Sequence, residues 1–156
     1  MNSRGFTLIE LVITVTIVGL LATAAMPLVE LTVKRGKEAE LRVNLREIRT
    51  ALDAYKRAAD QGHIEQEADM SGYPPSLEVL VEGVEDFTSP EHKRIYFLRR
   101  VPRDPFFPDN SARPEETWGL RSYASPPDDP RAGDDVYDVY SLATGTALDG
   151  SAYRAW

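Results

Sequence analysis

The chain has 156 residues and no cysteine, and its 25 acids outnumber 18 lysines and arginines for a formal charge of −7. An acidic chain is poorly suited to nucleic acid, whose phosphates need a basic face, and the lack of thiols excludes a disulfide framework and any thiolate zinc site. The length holds one hydrophobic helix and one soluble domain of about 100 residues.

The first predicted element begins in "SRGFTLIELVITVTIVGLL", residues 3–21, where a single acid, Glu10, heads an apolar run. The nineteen residues from Leu11 to Val29 carry no charge and would form about 28 Å of helix, close to the thickness of a bilayer core. A charged group costs roughly 2.5–3.5 kcal/mol at the centre of such a helix and less toward an end, so Glu10 is expected to serve a partner. Two readings of this terminus stand side by side. One is an ordinary secretory signal, with Arg4 as the positive region, Leu8 to Leu21 as the apolar stretch and cleavage after Ala22-Thr23-Ala24, which would leave Ala25 first. The other keeps the run as the first half of a longer helix. Glu10 interrupts the apolar stretch and the helical pattern continues past the supposed cut, which favours the second.

Beyond Pro27 the residues Leu41, Leu45, Ile48, Leu52, Tyr55 and Ala59 recur at steps of three and four, one stripe of an amphipathic helix. Arg42, Glu47, Arg49, Asp53, Lys56 and Arg57 lie between them, expected mostly in water, and Glu38–Arg42 and Asp53–Arg57 are spaced as acid-before-base pairs. Pro27 removes a hydrogen bond and should kink the helix, and Gly36 loosens it. Gly62 suits a helix C-cap. The spacing predicts one helix from Phe6 to about residue 60, greasy all round in its first half, with its later stripe covering a small sheet.

The remainder reads as short strands and long loops. Ser76 is expected to cap a short helix carrying Leu77, Leu80 and Val81. Strands are predicted at Ile95–Val101, Leu120–Ala124 and Val136–Leu142. Seven of the eleven prolines fall between Pro102 and Pro130, which makes that segment loop and turn. The fold class is α+β: a long N-terminal helix, its hydrophobic half transmembrane, packed on a small C-terminal antiparallel sheet with long loops.

Arg4-Gly5 followed by "FTLIELVITVTIVGLLATAAMP" closely resembles the class III signal of type IV pilins and type II secretion pseudopilins. The likeness lies in a charged leader ending in glycine, then phenylalanine, glutamate four residues on, and proline closing the apolar stretch. Downstream, "YPPSLEVLV", "VPRDPFF", "WGLRSY" and "DVYSL" look like the pattern of the major pseudopilin of type II secretion. The resemblance implies a leader at 1–5, a membrane and polymerisation helix at 6–29, its amphipathic continuation at 30–61 and a globular headpiece at 62–156. It implies cleavage between Gly5 and Phe6 by a prepilin peptidase, methylation of the new amine, and assembly through Glu10 and Pro27. The partners it implies are copies of the same chain, an inner-membrane assembly platform, minor pseudopilins, and membrane lipid before assembly. The location it implies is a single pass through the inner membrane with the headpiece in the periplasm. A type IV pilin or minor pilin, or a periplasmic binding protein exported by an ordinary signal, are the alternatives.

Opposite charges near a helix N-terminus are favourable, so a Phe6 amine and Glu10 one turn apart suit each other. In filaments of the family the glutamate is thought to meet the amine of a neighbouring subunit; the alternative is a partner within its own helix. The family's major pseudopilins also hold calcium in an aspartate-rich loop after the serine-leucine pair. Here that loop is "SLATGTALDGS", with Gly145 where the family has aspartate. Asp149 is its one acid, and Asp138 or the Asp134-Asp135 pair would have to supplement it. A loop closed by its own hydrogen bonds is the favoured expectation, and no cofactor is expected. Asp128-Asp129 reads as a solvated turn, and His63 and His92 have no ligand spacing. No nucleophile–base constellation or phosphate loop is evident, so no enzymatic activity is expected.

Overall fold

The computed structural model describes residues 6–66 and 70–156; the leader, with Arg4 and Gly5, lies outside them. The chain divides into two compact units, Met1–Lys37 and Glu38–Trp156. Helix α1, Leu8–Asp60, runs through both and continues past Pro27.

In the first unit α1 is uncharged from Leu11 to Val29 and almost wholly apolar there. Its large side chains are exposed, from Leu8 at 83 % to Leu31 at 42 %. The threonines in this stretch are compatible with an apolar surround because their hydroxyls fold back onto the helix. Thr14 donates to the Glu10 carbonyl at 2.9 Å, Thr16 to Val12 at 2.7 Å, Thr23 to Leu20 at 2.8 Å and Thr32 to Leu28 at 2.9 Å, so no hydroxyl is left seeking water. By length and composition this helix is able to cross a membrane.

In the second unit the expected stripe is buried throughout: Leu41, Leu45, Ile48, Leu52, Tyr55 and Ala59, joined by Ala51. Each leucine or isoleucine of the stripe contributes about 1.5–3 kcal/mol on burial. The stripe meets Ile64, Leu77, Leu80, Leu98, Val101, Trp118, Val136, Val139 and Tyr153 in one core, and Tyr55 tilts against Phe97 with ring centres 5.3 Å apart. The helix ends as its sequence indicates. Gly62 takes φ 77°, its N–H reaches the Ala59 carbonyl at 3.0 Å, and His63 N–H reaches Ala58 at 2.9 Å, the two bonds of a Schellman cap.

The α+β layout is present, with two differences in detail. The first is that the described residues form two two-stranded antiparallel sheets rather than one. Strand β1, Val84–Glu85, pairs with β2, Arg94–Ile95; β3, Trp118–Arg121, pairs with β4, Asp138–Ser141. The second is that every predicted strand is shorter than expected or displaced, because the backbone finds other partners. After Ile95 the chain leaves the ladder and donates from Phe97 and Leu98 to one acceptor, the Leu80 carbonyl, at 3.0 and 2.9 Å. Strand β3 begins at Trp118 and stops at Arg121, where Ser122 N–H turns to the Arg131 carbonyl and Tyr123 N–H to Asp135. Val136 N–H is taken by Pro74 rather than by the sheet, so β4 starts two residues late. Helix α2 is a single turn, Val79–Glu82, with Glu78 at its N-cap and no side-chain capping bond; the expected Ser76 cap is absent because the helix starts later.

Gly119 stands opposite Tyr140 in the β3–β4 ladder, and a Cβ there would lie 2.3 Å from the tyrosine ring. Glycine is thus required where the aromatic ring crosses the strand.

Candidate functional site

At the head of α1, "TLIE" is a helix start. Thr7 N–H and hydroxyl both donate to Glu10 Oε2, at 2.8 and 2.7 Å, and Glu10 N–H points back at the Thr7 hydroxyl at 3.4 Å. This is a capping box, a reciprocal arrangement that satisfies orphan donors of the first turn. Glu10 therefore has a partner within its own helix, supplied by Thr7. The signal was legible as a threonine three residues before a glutamate. Phe6 beside it is exposed, and Pro27 sits within α1.

A second cluster joins α1 to the loop that follows β4. Glu38, buried at 8 % exposure, accepts two hydrogen bonds on Oε1: from Leu148 N–H and from the Tyr153 hydroxyl, both at 2.9 Å. One turn on, Arg42 pairs with Asp149 at 3.1 Å and lies over the Trp156 ring, 4.2 Å from its centre. Two turns further, Arg49 donates to Asp138 at 2.7 Å, to the Val139 carbonyl at 3.1 Å and to the Trp156 carbonyl at 2.6 Å. Spacing of four and seven puts these three side chains on one edge of the helix. Glu38 and Arg42 do not serve each other as a helical pair; each turns to the loop. Arg49 is only partly in water, for the same reason.

The loop also closes on itself. Asp149 Oδ1 accepts from Ser151 N–H at 2.9 Å and from its hydroxyl at 2.5 Å, Ala147 N–H reaches the Ser151 carbonyl at 2.8 Å, and Thr146 bridges Ala152. The Ser151 hydroxyl and amide, with Arg42 adding its charge, hold the Asp149 carboxyl below the usual range. Burial, reinforced by Glu38, pushes the Tyr153 hydroxyl up to about 12.

These residues do not fit a hard divalent cation. Asp149 is committed on one oxygen to Ser151 and on the other to a guanidinium, which opposes a second positive charge in the same place. Asp138 is committed to Arg49 and to Val139 N–H, and Asp135 accepts from Tyr123 N–H. At Gly145 the space is tight: a Cβ there would lie 3.1 Å from the Tyr153 ring.

A third group, overlooked in the sequence, ties the motifs together. Asp104 of "VPRDPFF" is fully buried. It accepts from Phe106 N–H at 2.8 Å and from the Ser141 hydroxyl at 2.5 Å, while its own N–H donates to Thr117 at 3.1 Å. Ser141 belongs to "DVYSL", so two distant motifs meet at one carboxylate. Phe106 then stacks on Tyr153, ring centres 4.3 Å apart. Other polar groups pair elsewhere in the head. His63 and Thr88 share Asp86, His92 pairs with Glu85, and Asp129 pairs with Arg131 on an exposed turn. Among the described residues no group of three or more histidines, cysteines or acids is placed to hold a metal.

Residues 1–26 match the prokaryotic N-terminal methylation motif. The chain is 29 % identical over 112 residues to type II secretion system core protein G of Klebsiella pneumoniae, covering 69 % of this chain and 72 % of that protein. It is 29 % identical over 114 residues to the protein of the same name from Dickeya chrysanthemi, covering 67 % of this chain and 64 % of the relative. No solved structure matches the chain.

Proposed function

We infer that this chain is a structural subunit that polymerises through its N-terminal helix into a periplasmic pseudopilus of a type II secretion system. One observation carries the reading: the methylation motif opens a helix whose exposed apolar half has membrane-crossing length and whose later half belongs to a folded head. Among the described residues of the first unit none covers those side chains, so they need lipid before assembly and copies of the same helix afterwards. A prepilin peptidase cuts between Gly5 and Phe6, and the new amine is methylated. The amine of one subunit then meets the Glu10 carboxylate of its neighbour, which sets register because an unpaired charge in an apolar filament core is strongly unfavourable. The head faces the periplasm, and the inner-membrane platform and minor pseudopilins are the assembly partners. The role is structural rather than catalytic.

The test is intact mass and N-terminal sequencing of the protein from membranes that contain a prepilin peptidase. The expected product begins at a methylated Phe6 and is recovered in sheared filaments. A product beginning at Ala25 would overturn the reading in favour of an ordinary exported protein.

A further inference from the structure

The loop after β4 is held from α1. Its interior donors, Leu148 N–H and the Tyr153 hydroxyl, converge on one carboxylate oxygen of Glu38 at 2.9 Å. Its one acid, Asp149, converges on Arg42 at 3.1 Å. Hydrogen bonds to an ionised group are the stronger kind, and the Glu38 carboxylate is largely shielded from water, which strengthens them further. The ring of Tyr153 packs against Gly145, is stacked by Phe106 and meets Trp156 edge-on at 5.3 Å. Trp156 in turn donates from Nε1 to the Ser151 hydroxyl at 2.7 Å and lies under the Arg42 guanidinium. The loop carboxylate, the loop backbone at Leu148 and the Trp156 ring each have a partner in the protein.

We propose that in this chain a helix-borne anchor, Glu38 and Arg42 acting on Leu148, Asp149 and Tyr153, takes the place of a loop calcium ion, so that the head folds and holds its shape without calcium. Two carboxylates that would otherwise attract a cation are used differently: Asp149 is neutralised by an arginine, and Glu38 accepts from groups of the loop itself. The substitution of glycine at residue 145 is part of the same exchange, because the tyrosine ring that bonds Glu38 packs against that position. The anchor rests on contacts within the second unit and holds whether or not the chain polymerises. Calcium-independent assembly is its consequence under the pseudopilus reading.

The experiment uses the full chain in detergent micelles, melted in millimolar calcium chloride and in EGTA, with hydrogen exchange followed at the Leu148 amide. The wild-type melting temperature is expected to agree between the two buffers within about 1 °C, since a ligand stabilises only by its occupancy. Glu38→Ala is expected to speed Leu148 exchange about tenfold or more and to lower the melting temperature by roughly 5 °C, with calcium restoring neither. Glu38→Gln, which keeps an accepting oxygen, falls between. Should Glu38→Ala fail to fold, Tyr153→Phe and Arg42→Ala read the two arms of the anchor separately, each loosening the loop less. A calcium-dependent rise in wild-type melting temperature that EGTA reverses overturns the proposal, as does Leu148 exchange that ignores Glu38. If melting is calcium-independent but filaments still require calcium, the anchor in the head is upheld and calcium-independent assembly is overturned.

Discussion

The two stretches of α1 share one backbone conformation and differ in what their apolar side chains touch. Up to Val33 the large apolar residues are exposed, between 42 and 83 %, whereas from Leu41 onward the stripe is buried. The difference is written in spacing. An apolar surface with no period has no preferred side and suits surroundings that are apolar on every side, whereas steps of three and four commit one side to a core and leave the other to water. Under the pseudopilus reading the first stretch gains its stabilisation from partners outside the chain, whereas the second gains it from the chain's own core.

The largest test of that contrast is at Glu10. Glu10→Leu makes the first stretch more apolar, so membrane insertion and leader cleavage should persist. Filament yield should collapse, since removing one partner of a buried charge pair typically costs about 3–5 kcal/mol. The capping box offers a rival account, and two variants separate them. Thr7→Ala abolishes the cap and keeps the charge; Glu10→Gln keeps a capping side chain and loses the charge. If the charge acts between subunits, Thr7→Ala should assemble nearly normally and Glu10→Gln poorly, read as sheared filament against processed monomer. The reverse ranking assigns Glu10 to its own helix.

The next effect separates the two stretches by stability. Leu52→Ala or Ile48→Ala should lower the head's unfolding free energy by about 2–5 kcal/mol, because each truncation opens a cavity in a closed core. Leu20→Ala, in the exposed stretch, should leave the head's melting within about 0.5 kcal/mol of wild type. Denaturant titration of detergent-solubilised protein gives both values. An equal loss from Leu20→Ala would mean that the exposed stretch contributes to the head's stability.

The helix was legible because it is local: its stripe, its glycine cap and its apolar half follow from spacing alone. The strands were not, since a residue such as Phe97 or Val136 reads as strand and only the fold reveals that its N–H belongs to Leu80 or Pro74. The same limit applied to the polar groups. Arg42 and Arg49 looked solvated and Glu38 looked like a helical partner of Arg42, and nothing nearby in sequence announces partners about a hundred residues on. Asp104 was hidden inside a motif recognised only as a string. Asp104→Ala should cost about 1–3 kcal/mol by removing the carboxylate to which Phe106 N–H and the Ser141 hydroxyl donate, with Asp104→Asn milder. An unchanged melting curve for the alanine variant would remove Asp104 from its place at the joint between the two motifs.

The smallest effect concerns the far end of the helix, where Asp86 joins the residues after the cap to the β1–β2 hairpin. Its carboxyl accepts from the Thr88 hydroxyl at 2.7 Å, from Thr88 N–H at 2.9 Å and faces His63 Nδ1 at 3.0 Å. These contacts, the Thr88 hydroxyl foremost and His63 next, lower its pKa from 3.8 to about 2. A carboxyl titrating lower in the folded than in the unfolded chain favours the fold at pH above the unfolded value, and that contribution fades as pH falls through the folded one. The window is therefore between about pH 4 and pH 2, on the acid side only. Other carboxylates titrate there too, so the informative quantity is the difference between wild type and Asp86→Asn, which has no proton to take up at that position. Wild-type melting temperature should fall more steeply than the variant's across the window, and Thr88→Ala should recover part of the difference by removing the foremost contact. Parallel curves would mean that Asp86 is as easily protonated in the fold as out of it. The joint would then rest on the Phe87 N–H to His63 carbonyl bond and not on the carboxylate.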